Sequence, residues 1–223
     1  MEKSFGEMSL AGPKYSVPSK DIGVTNSNEA DIPTQELWDS FDPNDKRRGI
    51  NLRYEFTNMN TNQIERSSIP LFGKYWIDDV KASNQCDINM HIIRYADALL
   101  MYAEALNETG ESSKAHVVLN RVRERAFGNF SGNYSGLSKE QFRAKILDER
   151  RLEFPIEGHR WFDLVRTNTF VQRMKEHSAY EAGVAEANKT QLAQNLKDYM
   201  ILMPIPQREI DLNPELKQNP GWD

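Results

Sequence analysis

Apolar residues recur at helical spacing mainly in the second part of the chain, from residue 91 onward. Over residues 92–108 they occupy two adjoining faces of one helix, and this pattern predicts a helix that is packed on two sides. One face contains Ile93, Ala96, Leu100 and Ala103, and the other contains Ile92, Tyr95, Leu99, Tyr102 and Leu106. Gly110 suits the left-handed position that ends a helix, and residues 113–126 resume the helical spacing.

Further helices are predicted toward the C-terminus. Ser138 followed by Gln141 is typical of a capping box, so a helix is expected from residue 138 to Phe154, with Pro155 ending it. A short helix is expected over residues 159–167 and a weaker one over residues 170–198. The last part of the chain contains four prolines between residues 202 and 222 and predicts an extended tail.

Apolar residues in the segment 1–90 show neither helical nor strand periodicity over any long stretch. Prolines and clusters of Asn, Asp, Ser and Thr interrupt them, although Thr34 could cap a short helix over residues 35–41. Alternating residues 52–56 indicate a short strand. We therefore predict a mainly α fold with two regions. Residues 1–90 form an irregular, loop-rich region that offers a possible ligand-binding surface, and residues 91–223 form a helical region with an extended C-terminal tail.

Composition narrows the class of protein. With 39% hydrophobic and 27% charged residues among 223, the chain is globular rather than disordered. A net charge of −5 disfavours nucleic acid as the main partner. Cys86 is the single cysteine, which excludes an intramolecular disulfide and a thiolate metal cluster. No cofactor is expected.

Four ordered motifs carry a resemblance to a known family. They are RYADALLMYAEALNE at residues 94–108, LNRVR at 119–123, ERRLEF with EGHRWFDLVR at 149–166, and PIPQREI, NPEL and QNPGW at 204–222. Together they resemble the SusD/RagB family. In addition, Ala103, Gly110 and Ala115 have the spacing of a tetratricopeptide-like helix pair.

The resemblance implies a mostly helical protein in which tetratricopeptide-like helix pairs support an irregular ligand-binding region. It also implies an outward-facing outer-membrane lipoprotein of Bacteroidetes-type bacteria. Such a protein binds glycans or other nutrients, without catalysis, for uptake by a SusC-like TonB-dependent transporter. The resemblance covers the C-terminal half of the family, so we expect other helix pairs and part of the ligand site to belong to the other half. Whether the chain is a fragment or a natural truncation stays open.

Candidate glycan contacts are the aromatic residues in polar, irregular surroundings, because sugars stack their flat C–H faces on exposed rings. Polar neighbours would bind the hydroxyl groups. The candidates are Tyr15, Tyr54, Phe56, Asn58, Trp76 and Asp78. The aromatics of the helical stripes and motifs are instead expected to pack in the core, and so is Trp38. These are Tyr95, Tyr102, Phe142, Phe154, Trp161 and Phe162.

An acidic cluster permits two interpretations. Its members are Glu149, Glu153, Glu157 and Asp163. Two carboxylates could hydrolyse a glycoside, but the interleaved Arg150, Arg151 and Arg160 favour an ion-pair network between helices. His159 and Asp163 lack a third metal ligand. We therefore expect no catalytic or metal site. Two alternatives remain: a truncated paralogue that docks on a partner without binding sugar, and, more remotely, a glycoside hydrolase.

Overall fold

The computed structural model describes residues 33–58, 61–75, 91–182 and 195–222. Most of these residues are helical, which confirms the predicted mainly α fold. The elements in chain order are α1 (Gln35–Asp39), α2 (Arg47–Asn51), β1 (Leu52–Thr57), β2 (Ile64–Phe72), α3 (Tyr95–Glu108), α4 (Ser112–Phe127), α5 (Lys139–Glu153), α6 (His159–Arg166), α7 (Phe170–Ala182), a 3-10 helix (Asp198–Ile201) and α8 (Gln207–Leu212).

The chain divides into two compact units, Met1–Arg160 and Trp161–Asp223. The division that the sequence predicts, at residue 90, falls in a segment outside the described residues and stays a prediction. The two units are treated separately below.

The core of the first unit lies where α3 packs against α4 and α5. Leu100, Leu119 and Phe142 are fully buried there. Gly110 adopts a φ of 86° just after α3, and the Glu111 amide donates to the carbonyl of Leu106 at 2.8 Å. This is the bond of a Schellman motif, so the predicted end of the helix is confirmed. The turn lets α4 follow α3 directly and share its apolar face.

The start of α5 is also as predicted. The Gln141 amide donates to the Ser138 hydroxyl at 3.2 Å, and the Ser138 amide donates to Gln141 Oε1 at 2.9 Å. Both bonds of the capping box are therefore present. The helix ends at Glu153, before the buried Pro155.

A β-hairpin forms a second part of the first unit. The predicted strand is confirmed as β1, which pairs antiparallel with β2. The reading of residues 1–90 as loop is wrong for β2, because its sequence IERSSIPLF lacks a regular apolar alternation and contains a proline. Leu37, Phe41, Leu52 and Phe72 form a small core here, with Leu152 of α5 packed against it. The hairpin and the helices therefore share apolar contacts.

The expected burial of the motif aromatics is confirmed for Phe142 and Phe154 and wrong for four others. Tyr95 and Tyr102 are 66% and 54% exposed, because α3 buries only one of its two apolar faces. In the second unit, Trp161 and Phe162 are exposed too, although the Trp161 ring packs edge-on against Phe170 at 4.7 Å.

The sequence predicts an extended C-terminal tail, and this prediction is wrong. The tail of the second unit folds back on itself. Trp222 Nε1 donates to the Leu202 carbonyl at 2.8 Å, and its ring meets Tyr199 edge-on at 5.2 Å. Gln218 bonds both backbone groups of Ile205. The prolines break the chain into short pieces, and these long-range bonds hold the pieces together, including the short helix α8.

The exposed face of α3 predicts that the chain self-associates. Tyr95 and Tyr102 are 66% and 54% exposed, Ile93 just before the helix is 71% exposed, and exposed apolar surface of this kind drives association. Sedimentation at rising concentration should show species larger than a monomer, and a Tyr95→Ser/Tyr102→Ser variant should shift them toward the monomer. The control Val117→Ser removes one exposed apolar side chain from α4 and should change nothing. A wild-type chain that is monomeric at every concentration would contradict this prediction.

Candidate ligand-binding site

Tyr54 lies in β1 and joins a row in which two aromatic rings lie between two cationic side chains. Its ring meets Trp38 of α1 edge-on, with centroids 4.7 Å apart. The guanidinium of Arg66 lies 4.7 Å from the Tyr54 centroid, and that of Arg48 lies 4.3 Å from the Trp38 centroid. We call these four residues the aromatic row. The expected packing of Trp38 is confirmed by this contact and by its position beside the hairpin core.

The aromatic row has the chemistry that a sugar surface requires. Both rings are half-buried, so each keeps part of its surface accessible. The Tyr54 hydroxyl donates to Gln35 Oε1 at 2.7 Å, which fixes the ring and leaves the oxygen able to accept a hydrogen bond. Arg66 is exposed and has further donors available. Flat apolar surface therefore lies beside groups that can bind hydroxyls.

Phe56 and Asn58 are placed differently from Tyr54. Phe56 lies on the buried face of β1, so the prediction that it has polar, irregular surroundings is wrong. Asn58 is also buried, where its Nδ2 donates to Glu65 Oε1 at 2.7 Å and its Oδ1 accepts from the Thr61 amide at 3.3 Å. Both side chains stabilise the hairpin, and their contact with a glycan stays a prediction. Tyr15, Trp76 and Asp78 lie outside the described residues.

Glu149 of the acidic cluster is a buried ion-pair partner. Only 1% of it is exposed. It accepts from Arg47 at 2.7 Å and from Arg123 at 2.5 Å. Arg47 extends the contact by pairing with Asp45 at 2.7 Å. This chain of bonds links α2, α4 and α5.

Glu153, one helical turn further along α5, accepts from three arginines. Arg47 and Arg94 each lie 3.0 Å from its carboxylate, and Arg125 lies 2.5 Å away. Glu153 is itself buried, with 3% exposed. The carboxylate therefore joins the hairpin side of the unit to the first residues of α3 and the last turn of α4.

Glu157 completes the arrangement. It accepts from Arg94 at 2.7 Å and from Lys74 at 2.5 Å, just after β2. Four carboxylates and five cations thus form one connected cluster in the first unit, which we call the carboxylate network. Its members are Asp45, Glu149, Glu153 and Glu157 with Arg47, Lys74, Arg94, Arg123 and Arg125.

The predicted ion-pair network is therefore confirmed, and the interleaved arginines have further partners. Arg150 pairs with Asp97 at 2.7 Å, Arg151 pairs with Glu36 at 2.9 Å, and Arg160 donates to a backbone carbonyl. In the second unit, the predicted cluster member Asp163 pairs with Arg166, three residues on.

Sequence reasoning missed Arg47 and Lys74 as partners of the glutamates, and Asp45 as a further partner of Arg47. Arg47 lies 102 residues from Glu149 along the chain, a separation that no local spacing can report.

The surroundings of Glu153 suit an ion pair rather than acid catalysis. Burial alone would raise the pKa of its carboxyl. The hydrogen bond and charge of Arg125 and the charge of Arg47 outweigh burial, so the pKa lies below its ordinary value. A glycosidase general acid needs a raised pKa. The carboxylate thus stays ionised at neutral pH and holds its arginines.

Within the described ranges, no group of three or more His, Cys, Asp or Glu residues could hold a metal ion. In the same part of the chain, no helix has the length and apolar character that crossing a bilayer requires.

Comparison with known proteins decides the family. Residues 48–222 match the model of the SusD family. The chain belongs to the SusD family. Among curated relatives, SusD-like protein P25 of Formosa agariphila is 30% identical over 198 residues, which cover 87% of this chain and 35% of that protein. The starch-binding protein SusD of Bacteroides thetaiotaomicron is 29% identical over 136 residues, which cover 61% of this chain and 22% of that protein.

A solved structure supports the same fold. The surface glycan-binding protein A of Bacteroides thetaiotaomicron, in complex with laminarihexaose, superposes with a TM-score of 0.61 at 22% identity. The match covers 93% of this chain and 46% of that one. The chain thus spans less than half the length of each of these three proteins.

Loss of the Glu153 charge should destabilise the first unit. A Glu153→Gln variant leaves three arginines around a buried neutral amide, and breaking a buried ion pair costs about 3–5 kcal/mol. Urea unfolding at neutral pH measures this loss. The control Glu111→Gln breaks an exposed pair with Lys114 and should cost about 1 kcal/mol or less.

The same variant tests the pH dependence. Because the folded pKa of Glu153 is lowered, its stabilisation is complete above the ordinary glutamate pKa and is lost as the pH falls through the folded pKa. The wild-type unfolding free energy should therefore fall in acid more steeply than that of Glu153→Gln. Parallel pH curves for the two proteins would contradict the assignment.

Proposed function

We propose that the chain supplies a glycan-binding surface to a nutrient-uptake protein on the outer face of the bacterial outer membrane, and that it acts without catalysis. Membership of the SusD family is the observation that carries this proposal. A relative that is 29% identical is named a starch-binding protein. The pairing of the Glu149 and Glu153 carboxylates with arginines agrees with binding rather than hydrolysis.

The aromatic row is the part of the described surface that best fits this role. Its rings are held by Gln35 and by two arginines, so little conformational entropy is lost when a sugar packs on them. Tyr54 is the central candidate. Trp76 and Asp78 remain candidates from the sequence, as do Tyr15, Phe56 and Asn58.

A SusC-like TonB-dependent transporter is the partner that we propose, with a lipid anchor holding the mature protein at the membrane. The exposed apolar face of α3 favours a second candidate function, in which the chain docks on that partner and binds no sugar. The two functions differ in a simple observable. Co-purification with the transporter is expected of both, whereas binding to a glycan is expected only of the first.

Substitution of Tyr54 tests the glycan surface. Affinity electrophoresis against a panel of neutral and acidic polysaccharides should show the wild-type chain retarded by at least one of them. Tyr54→Ala should weaken that binding by about three- to tenfold, since an aromatic contact contributes about 0.5–1.5 kcal/mol beyond its area. Tyr54→Phe keeps the ring and should retain most of the affinity.

Tyr102→Ala serves as the matched control, because Tyr102 is an exposed tyrosine on α3, away from the hairpin. Its affinity should equal that of the wild type. Equal affinity of Tyr54→Ala and wild type would contradict the proposed surface. A chain that no glycan retards, but that co-purifies with the transporter, would favour docking alone.

A further inference from the structure

A pocket of about 430 Å³ opens beside the carboxylate network in the first unit. Residues of α2, of the segment after β2 and of the last turns of α4 and α5 line it. Its volume falls within the range of small-molecule sites, about 300–1,000 Å³. The lining combines charged side chains with the apolar groups of Ile50, Tyr75 and Ala126.

Among the residues that the structure describes, the charges around this pocket do not cancel. The carboxylate network holds four carboxylates and five cations, which leaves one positive charge in excess. Lys46 also lines the pocket, and no carboxylate of the described residues pairs with its ammonium group. The backbone of Lys46 bonds the Ala126 carbonyl near the end of α4, and a helix C-terminus offsets only about half a charge. The pocket is therefore electropositive, although the whole chain is acidic.

Several of these cations remain reachable from solvent. The Arg125 side chain is 55% exposed although it pairs with Glu153, so part of its five N–H donors are available. Lys46 is exposed as well. Both belong to the rim, where an incoming anion would meet them before it reaches the buried pairs. An anion held there is partly shielded from water, which strengthens its attraction to the cations.

The apolar wall gives the pocket a second recognition element. Ile50 is 65% exposed and Tyr75 is half-buried. Tyr75 adopts a φ of 62°, a left-handed conformation that non-glycine residues rarely adopt and that clusters at ligand sites. A sugar ring could pack its C–H face on this wall while an anionic substituent turns toward the cations.

We propose that this pocket binds the anionic substituent of an acidic glycan, a uronate carboxylate or a sugar sulfate, through Lys46 and Arg125. The proposal rests on the glycan binding proposed above and specifies the class of glycan. The aromatic row supplies sugar stacking for any glycan, and the pocket selects those that carry negative charge.

Calorimetry with matched ligands tests the selection. Oligogalacturonide and its fully methyl-esterified form share one skeleton and differ in charge, as do a sulfated galactan oligosaccharide and its desulfated form. The charged member of at least one pair should bind about tenfold more tightly, and the difference should shrink at high salt. The pair that shows the difference identifies carboxylate or sulfate as the group recognised.

Substitution of Lys46 locates the effect. Lys46→Gln leaves every ion pair of the carboxylate network intact, so the variant should fold, and it should weaken the charged ligand about two- to fivefold. Its affinity for the neutral member should not change. The control Lys114→Gln removes one positive charge at the other end of α4 and should leave both affinities unchanged.

The outcomes separate this proposal from the general one. If neutral and charged members bind equally, or if Lys46→Gln and Lys114→Gln behave alike, the anion pocket is overturned while glycan binding stands. If no ligand of either kind binds, the anion pocket is overturned, and glycan binding is overturned with it when no polysaccharide of the panel retards the chain. The anion pocket is supported if the chain prefers the charged ligand, if Lys46→Gln reduces this preference, and if Lys114→Gln does not.

Discussion

Buried carboxylates hold the first unit of this protein together. Glu149 and Glu153 lie one turn apart on α5, almost wholly inaccessible to water, and each accepts from at least two arginines. A lone buried charge would cost several kcal/mol, and only close partners with good hydrogen bonds offset that cost. Those partners come from α2, α4 and the residue before α3. Placing the cations around α5 therefore places these elements relative to one another.

This constraint fixes both proposed ligand surfaces. Arg47 belongs to α2, and α2 runs directly into β1, which carries Tyr54. The Arg47 contacts thus set where the hairpin and its aromatic row lie with respect to the helices. The Asn51 side chain adds a bond to the Leu152 carbonyl at 2.9 Å. The pocket beside the network is electropositive because the cations outnumber the carboxylates among the described residues. The network that stabilises the first unit therefore also positions both proposed ligand surfaces.

The sequence predicts those features that depend on neighbouring residues. The Gly110 turn, the Ser138 capping box and the buried stripe of α3 all follow from local spacing, and they are confirmed. Features that depend on residues far apart in the chain could not be predicted from local spacing. Strand β2 forms because β1 pairs with it, despite an irregular pattern of its own. The tail folds back because Trp222 donates to the carbonyl of Leu202, 20 residues earlier, and local spacing cannot report such a bond.

The same distinction applies to the site. The acidic cluster was visible in the sequence, and its role in ion pairs follows from the arginines nearby. Its true partners were not visible, since Arg47 and Lys74 come from another part of the chain. Tyr54 could be selected as an aromatic residue in a polar segment, but the cations that flank its row come from α2 and β2. Three-dimensional pairing, rather than composition, makes this surface.

Hydrogen–deuterium exchange with and without the tightest-binding oligosaccharide tests the central claim most directly, namely that glycan binds to the hairpin side of the first unit. The account predicts slower exchange over residues 35–57 and at the pocket rim around Lys46 and Arg125 when the oligosaccharide is present. It predicts no change over the exposed face of α3 or over residues 195–222. Protection confined to those other regions, or no protection anywhere, would contradict it.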